Sequence, residues 1–180
     1  MQEKDSEIII PAFTVLSYFW NMIFQSTYQS PLGFLILKSD GLAVTELSFS
    51  ENELQEQNDC AVLLKCKQQL DDYFSGKTFG FNLPLYAEGT GFQKKVWAEL
   101  LKIPYGETIT YMELAVRLGD VKAIRAVGTA NGRNPIAIVI PCHRIIGAGN
   151  RLTGYAGGLG RKFWLLNHEI ENNPSKQTLF

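Results

Sequence analysis

Histidine and cysteine are scarce in this sequence: two of the first and three of the second among 180 residues. None of Cys60, Cys66 and Cys142 stands at metal-ligand spacing from His143 or His168, so no zinc and no other cofactor is expected. The cysteine count is odd and shows no paired framework, which excludes a disulfide-stapled scaffold and suits a reducing compartment. No uninterrupted apolar run is long enough to cross a bilayer, so no membrane partner is expected. The opening Met-Gln-Glu-Lys-Asp-Ser-Glu is acidic and unlike a secretory leader. These absences predict a cytoplasmic protein of a prokaryote, with a nuclear one as the alternative. Internal repeats and low-complexity tracts are also lacking.

What is present suits a globular chain of one large or two small domains, with 46% hydrophobic and 19% charged residues. The net charge of -1 hides an uneven distribution. Residues 1–91 carry five Lys and no Arg against twelve acids, a net of -7, whereas residues 92–169 carry eleven bases against five acids, a net of +6. An acidic lobe and a basic lobe are therefore expected, the basic one being the candidate for nucleic acid. Two solvated surfaces of opposite sign would give the same count.

Strands are expected over 13–19 and 33–38, and over 42–49 beyond the hairpin signal Ser39-Asp40-Gly41. A helix follows over 59–74, with Leu63, Leu64, Leu70, Tyr73 and Phe74 near one face and Gly76 at its stop. Residues 79–85 read as a short strand, which Pro84 confines to an edge. A linker is expected over 86–91, dividing a domain over 1–86 from one over 91–175. In the second domain Thr90…Gln93 and Thr110…Glu113 have capping-box spacing and open helices to about Leu101 and Leu118. A third helix is expected over 121–130, and the joint at Gly119-Asp120 gives helix-turn-helix spacing. Residues 136–140 read as a buried strand running into Pro141-Cys142-His143-Arg144, and 161–170 as a closing helix.

Cys142 is the candidate nucleophile, because an adjacent imidazole and guanidinium favour thiolate. Cys60 and Cys66 fall in or beside an apolar helix, where a cysteine is a small core residue. His143 is a candidate base, and His168-Glu169 near the end of the last helix offers a carboxylate to orient an imidazole. Arg125 lies on the candidate recognition helix among Ala123, Ala126, Gly128 and Ala130, small residues that allow close approach to a groove or to another helix. The loop Gly154-Tyr155-Ala156-Gly157-Gly158 can wall a pocket or simply turn the chain.

These pieces occur together in an order that is specific. Pro141-Cys142-His143-Arg144-Ile145-Ile146 resembles the active-site signature of the O6-alkylguanine-DNA alkyltransferases, the methylated-DNA–protein-cysteine methyltransferases. The resemblance runs from Gly91 to Glu169 through Val96-Trp97, Pro104 to Glu107, Tyr111, Arg125 to Gly128, Asn131 to Pro135 and Tyr155 to Gly158. It continues more loosely through Pro31 to Gly33, Gln69-Leu70 and Tyr73 to Gly76. It implies an α+β fold: a ribonuclease H-like N-terminal domain and a winged-helix, helix-turn-helix-like C-terminal domain.

The resemblance also implies roles. Cys142 would accept the alkyl group, His143 would take the thiol proton through a water, and Glu169 would complete the relay. Tyr111 would hydrogen-bond the leaving guanine, and Asn134 would tie the recognition helix to the active-site turn. Arg125 would enter the duplex from the minor-groove side and fill the gap left by a flipped nucleotide. Met112, Lys122 and Arg133 would join it on the DNA, and Tyr155 would line the pocket. The expected partner is double-stranded DNA containing O6-alkylguanine, with O4-alkylthymine as a second candidate base, bound by a monomer. Two departures stand out: the first lobe has no histidine for the structural zinc of some relatives, and Ala156 replaces a serine found in others.

The chemistry suits these residue types. Displacement at a saturated carbon wants a soft nucleophile such as thiolate, and an acid at the departing oxygen contributes roughly 10²–10⁴-fold. The thioether product has no resolving cysteine nearby, so one irreversible turnover per chain is expected. The rival readings are a non-catalytic module that binds alkylated lesions and a cysteine hydrolase built on Cys142 and His143.

Overall fold

The computed structural model describes residues 23–173. Three antiparallel strands, β1 (Phe24–Ser30), β2 (Gly33–Ser39) and β3 (Val44–Ser50), form a sheet in that order. β2 is central, and Leu35, Ile36 and Leu37 are buried in succession, which explains a continuous apolar run in place of alternation. Between β2 and β3, Asp40 Oδ1 accepts from the amides of Leu42 and Ala43, both at 2.8 Å, and closes the expected turn. The strand expected over 13–19 lies outside the described residues. β1 was not expected at all. Its sequence FQSTYQS is polar, and its buried Ser26 and Ser30 are satisfied by Gln57 Oε1 at 3.2 Å and the Gly33 carbonyl at 2.6 Å.

Helix α1 (Ala61–Phe74) packs on this sheet through Leu63, Cys66, Leu70 and Tyr73. Residues 79–85 form no strand. The contact with β3 is one parallel bridge, in which the Val44 amide donates to Pro84 O and the Tyr86 amide to Val44 O, both at 2.9 Å. Pro84 has no N–H to donate, so a ladder cannot extend through it.

The C-terminal lobe is helical: α2 (Gly91–Leu100), α3 (Tyr111–Arg117), α4 (Ile124–Gly132) and α5 (Leu159–Glu171). Both capping boxes form, with Thr90 and Gln93 opening α2 and Thr110 and Glu113 opening α3. A short 3-10 turn, Val121–Ala123, leads into α4, and Asp120 caps it through the Lys122 amide at 2.9 Å. β4 (Ile109–Thr110) and β5 (Ile145–Ile146) pair in parallel and tie the start of α3 to the segment after Cys142. Trp97 on α2 donates to the Ala130 carbonyl of α4 at 2.9 Å, and the ring is buried.

Residues 136–140 are buried as expected but do not form the expected strand. Ile140 donates to the Ile136 carbonyl at 3.0 Å, Val139 to Ala137 at 2.8 Å, and Cys142 to Ile140 at 2.8 Å, a chain of tight turns. Ile138 sits at φ 68, a conformation a β-branched residue rarely adopts, at a cost of about 1–3 kcal/mol. One strand-like contact survives: the Leu47 amide donates to Pro135 O at 2.9 Å and the Ala137 amide to Leu47 O at 2.8 Å. That bridge fastens β3 to the segment that delivers Cys142. A single core runs through both lobes, from Leu35, Leu37 and Leu47 through Tyr73 to Trp97 and Leu114. No helix among the described residues is long and apolar enough to cross a membrane.

Candidate active site

Cys142 opens the short 3-10 turn Cys142–Arg144 and is 6% exposed. Cys142 borders a cavity of about 140 Å³ lined by Leu47 and Phe49 of β3, by Asn131 of α4 and Asn134 just past its end, and by Tyr155. Asn134 holds this turn from within. Its Nδ2 donates to Cys142 Sγ at 3.1 Å and to the Ile140 carbonyl at 2.8 Å, and its Oδ1 accepts from the Ile136 amide at 3.0 Å. Asn131 Nδ2, from α4, reaches the Cys142 carbonyl at 3.4 Å. Burial pushes the thiol up, and the Asn134 hydrogen bond, the Lys162 charge and nearby backbone amides only partly oppose it. The resting group is therefore a thiol that needs a base.

A candidate base is next to it in sequence. His143 is fully buried, and burial lowers its pKa more than Glu169 raises it, so the ring is neutral. Glu169, on α5, is fully buried as well. Burial alone would raise its pKa, but hydrogen bonds and charge from His143 and Arg144 hold the carboxyl far below the usual carboxylate range. Glu169 Oε1 lies 2.8 Å from His143 Nε2, and it also accepts from Tyr73 Oη at 2.8 Å and from an Arg144 terminal nitrogen at 2.9 Å. Oε2 accepts from Arg144 Nε at 2.8 Å and from the Gly106 amide at 3.0 Å. An ionised carboxylate only accepts, so the network assigns the proton to Nε2 and leaves the Nδ1 lone pair free. Nδ1 has no partner among the described residues, as a base awaiting a proton requires. Gly106 sits at φ 73 with a would-be Cβ 2.5 Å from Asn173, so only glycine brings its amide this close.

Tyr111, the first residue of α3, is half-buried, and its hydroxyl lies 3.3 Å from Gly154 O and 3.5 Å from Thr153 O. Tyr155 meets Phe49 edge-on at 6.2 Å, and its buried hydroxyl has no hydrogen-bond partner among the described residues. Arg161 lies over the Phe49 ring at 4.6 Å and donates to Leu32 O at 3.0 Å and Gly157 O at 3.2 Å, fixing the 155–158 loop to the sheet. A Cβ on Gly157 would come within 2.7 Å of Phe49 and 2.8 Å of Tyr155, so the loop closes only on glycine. Outside the cavity, Met112 on α3, Lys122 in the turn, Arg125 on α4 and Arg133 at its C-cap are exposed. The three cations make no ion pair among the described residues, so their charge is available to a partner.

A family model described as "6-O-methylguanine DNA methyltransferase, DNA binding domain" matches residues 91–171, and one described as the ribonuclease-like domain of the same enzyme matches residues 23–87. The chain belongs to this family. A Mycobacterium bovis relative named methylated-DNA–protein-cysteine methyltransferase is 44% identical over 164 residues, covering 88% of this chain and 99% of the relative. A relative of the same name from Methanosarcina barkeri is 47% identical over 151 residues, covering 81% and 95%. The crystal structure of Mycobacterium tuberculosis O6-methylguanine methyltransferase superposes with a TM-score of 0.79 at 44% identity, covering 88% of this chain and 99% of that one. That of Mycobacterium tuberculosis OGT in complex with DNA gives 0.77 at 45% identity, covering 87% and 98%. The expected α+β class, a small sheet lobe joined to a helical lobe, is that of the methyltransferase fold.

The structure brings Cys142, Asn134 and Tyr155 together at one cavity, with His143 and Glu169 paired in the buried interior next to Cys142, Tyr111 at the loop beside it and the four exposed residues outside it. One sequence argument is corrected. The Arg144 guanidinium does not serve the thiol; it is held by both Glu169 oxygens and by the Ile103 carbonyl at 2.6 Å. Its chemistry is to satisfy a buried carboxylate, which a bidentate fork does better than a thiolate would. His168 likewise turns away from Cys142, stacking on Trp164 at 4.9 Å with Nε2 2.9 Å from the Tyr73 carbonyl. Sequence reasoning missed Tyr73, Asn131, Lys162, Leu47 and Phe49. For the two β3 residues and Tyr73 there was no local signal, since their partners lie far along the chain. Asn131 carried one, being a polar residue on the inner face of an otherwise apolar helix.

Proposed function

We propose that the protein repairs alkylated DNA by direct reversal, moving the alkyl group of O6-alkylguanine onto Cys142 in one irreversible turnover. The observation that carries this reading is a buried thiol facing a cavity, backed by a neutral imidazole whose other nitrogen is committed to an ionised carboxylate. His143 Nδ1 takes the thiol proton through a water, and Glu169 stabilises the imidazolium that forms. The sulfur attacks the alkyl carbon, the C–O6 bond breaks, and its electron pair leaves with the guanine. Tyr111 donates a hydrogen bond to the departing base, which a proton then neutralises. Asn134 keeps the turn and the sulfur in register. Cys66 offers no rescue, because it is buried in the core on α1 and a thioether, unlike a disulfide, is not opened by thiol exchange.

The target carbon is out of reach in a stacked duplex, so the nucleotide must be extruded into the cavity. Arg125 enters from the minor-groove side and fills the gap, offsetting part of a cost of roughly a few kcal/mol. Lys122 and Arg133 meet phosphates, Met112 packs on the groove, and Tyr155 flanks the base. In this reading the chain is a cytoplasmic monomer with domains over 1–86 and 91–175, and O4-alkylthymine is a second substrate candidate.

The test is intact mass and peptide mapping after incubation with duplex DNA containing one O6-methylguanine, with Cys142→Ala alongside. One methyl on Cys142, saturating at one per chain and absent from the variant, is the expected result. Tight lesion binding without an adduct would replace this reading with that of a binding module.

A further inference from the structure

Tyr73, in the last turn of α1, is wholly buried and belongs to the lobe that carries no nucleophile. Its ring packs against Phe74 and Phe81, each at 5.3 Å, His168 at 5.4 Å and Tyr105 at 6.0 Å. A phenylalanine would fill that space as well, so packing leaves the hydroxyl unexplained. The hydroxyl donates to Glu169 Oε1 at 2.8 Å. The carbonyl of the same residue lies 2.9 Å from His168 Nε2. Tyr73 thus engages two consecutive residues of α5, one through its main chain and one through its side chain.

Three groups converge on Oε1: Tyr73 Oη, His143 Nε2 and an Arg144 terminal nitrogen. The Arg144 fork spans both oxygens and is enough to orient the carboxylate. The phenol instead acts on the one oxygen that faces the imidazole. Burial and the charge of Glu169 push the phenol well up, so it stays a neutral donor. A hydrogen bond given to an ionised carboxylate favours that form and lowers its affinity for a proton. With Oε1 restrained in this way, the Nε2 proton stays on the ring when Nδ1 takes a second one. The other titratable groups around the pair are Cys142 on the turn, Tyr105 after α2, Tyr155 on the cavity loop, and His168 and the wholly buried Lys162 on α5.

We propose that Tyr73 is a positioning residue for the transfer: through its hydroxyl, the sheet lobe restrains the carboxylate oxygen that backs His143. The proposal rests on Cys142 being the alkyl acceptor and His143 its base. Tyr73 meets no reacting atom; it acts on Glu169, and through Glu169 on the imidazole. The strength of the base is therefore set where α1 and α5 meet, and the lobe without the nucleophile has a part in the proton relay.

Two changes at position 73 move this hydrogen bond in opposite senses. Tyr73→Phe removes it and keeps the ring, whereas 3-fluorotyrosine has a more acidic phenol and donates more strongly. Two quantities are followed against pH: the ring-nitrogen shifts of His143 in protein carrying ¹⁵N-histidine, and carbamidomethylation of Cys142 by iodoacetamide, read by peptide mass. Without the phenol the imidazolium is favoured, and with it the thiolate. Tyr73→Phe should therefore raise the His143 midpoint and lower the Cys142 midpoint by about half a pH unit, making alkylation about threefold faster on the acid side. The fluorinated residue should shift both midpoints the other way. Lys162, pushed down by burial to about 8, titrates in all of these proteins, so the readout is the difference between them. Slower alkylation at every pH with unmoved midpoints would make the hydroxyl a packing feature and overturn the proposal, as would shifts of the same sign from both changes. The fluorinated protein is nearly isosteric and decides the matter alone if Tyr73→Phe does not fold. If the wild type takes no alkyl group from O6-benzylguanine or alkylated DNA, the functional reading fails separately, and the His143 titration still reports on the carboxylate.

Discussion

Replacing Glu169 by Gln should be the most damaging isosteric change in the molecule. The carboxylate accepts five hydrogen bonds, from Tyr73, Gly106, His143 and both ends of the Arg144 fork, and it is fully buried. An amide of the same shape loses the charge and turns an NH₂ toward groups that are themselves donors. Arg144, 7% exposed, then becomes a buried cation with a neutral partner. Breaking a buried pair in this way costs about 3–5 kcal/mol, a large part of the roughly 5–15 kcal/mol that holds a domain folded. Urea denaturation at pH 7, followed by tryptophan fluorescence, measures it. The double variant Glu169→Gln/Arg144→Met should recover more than about 1 kcal/mol relative to the sum of the single changes, because the stranded cation is gone. The folded pKa of Glu169 is depressed, so its stabilisation is complete above the unfolded value of about 4.3 and is lost as pH falls below that toward the folded one. Glu169→Gln should flatten that acid limb. A cost below about 1 kcal/mol, additive with Arg144→Met, would refute the view that one carboxylate organises this centre.

Two further outcomes follow from the geometry. Arg125 is exposed and stands apart from the cavity, so Arg125→Ala should slow transfer from duplex DNA far more than from free O6-benzylguanine; equal slowing would remove its role in the duplex. The Tyr155 hydroxyl is buried without a hydrogen-bond partner among the described residues, at a penalty of about 1–3 kcal/mol, so Tyr155→Phe should raise the melting temperature of the free protein. If the same change slows transfer, the hydroxyl meets the base; a lower melting temperature would mean that it is satisfied in solution.

Features encoded within a few residues were legible in advance. The two capping boxes, the Asp40-Gly41 hairpin and the Gly119-Asp120 joint each depend on side chains bonding to neighbouring backbone, and each formed. Cys142 and His143 were legible as candidates because they are adjacent in the sequence. What could not be read were arrangements decided by distant partners. β1 is a strand because β2 offers it a ladder, despite its polar sequence. Residues 136–140 look like a strand but turn on themselves, because the contact with β3 stops after Leu47. Arg144 was assigned to the wrong anion, since nothing near it in sequence announces a carboxylate on the last helix. Lys162 looked like any lysine of a surface helix.

The backbone bridge between Leu47 and Ile136 also bears on which lesions can be cleared. It places Leu47 and Phe49, from the acidic half, in the wall of the cavity that Cys142 also lines. The room for an adduct is thus measured across a seam between two lobes rather than inside either one. A substitution in the hairpin that shifts β3 by a fraction of an ångström changes the size of group admitted, while every atom that makes or breaks a bond keeps its place. Selection for bulkier damage can act on the half of the chain that carries out no chemistry.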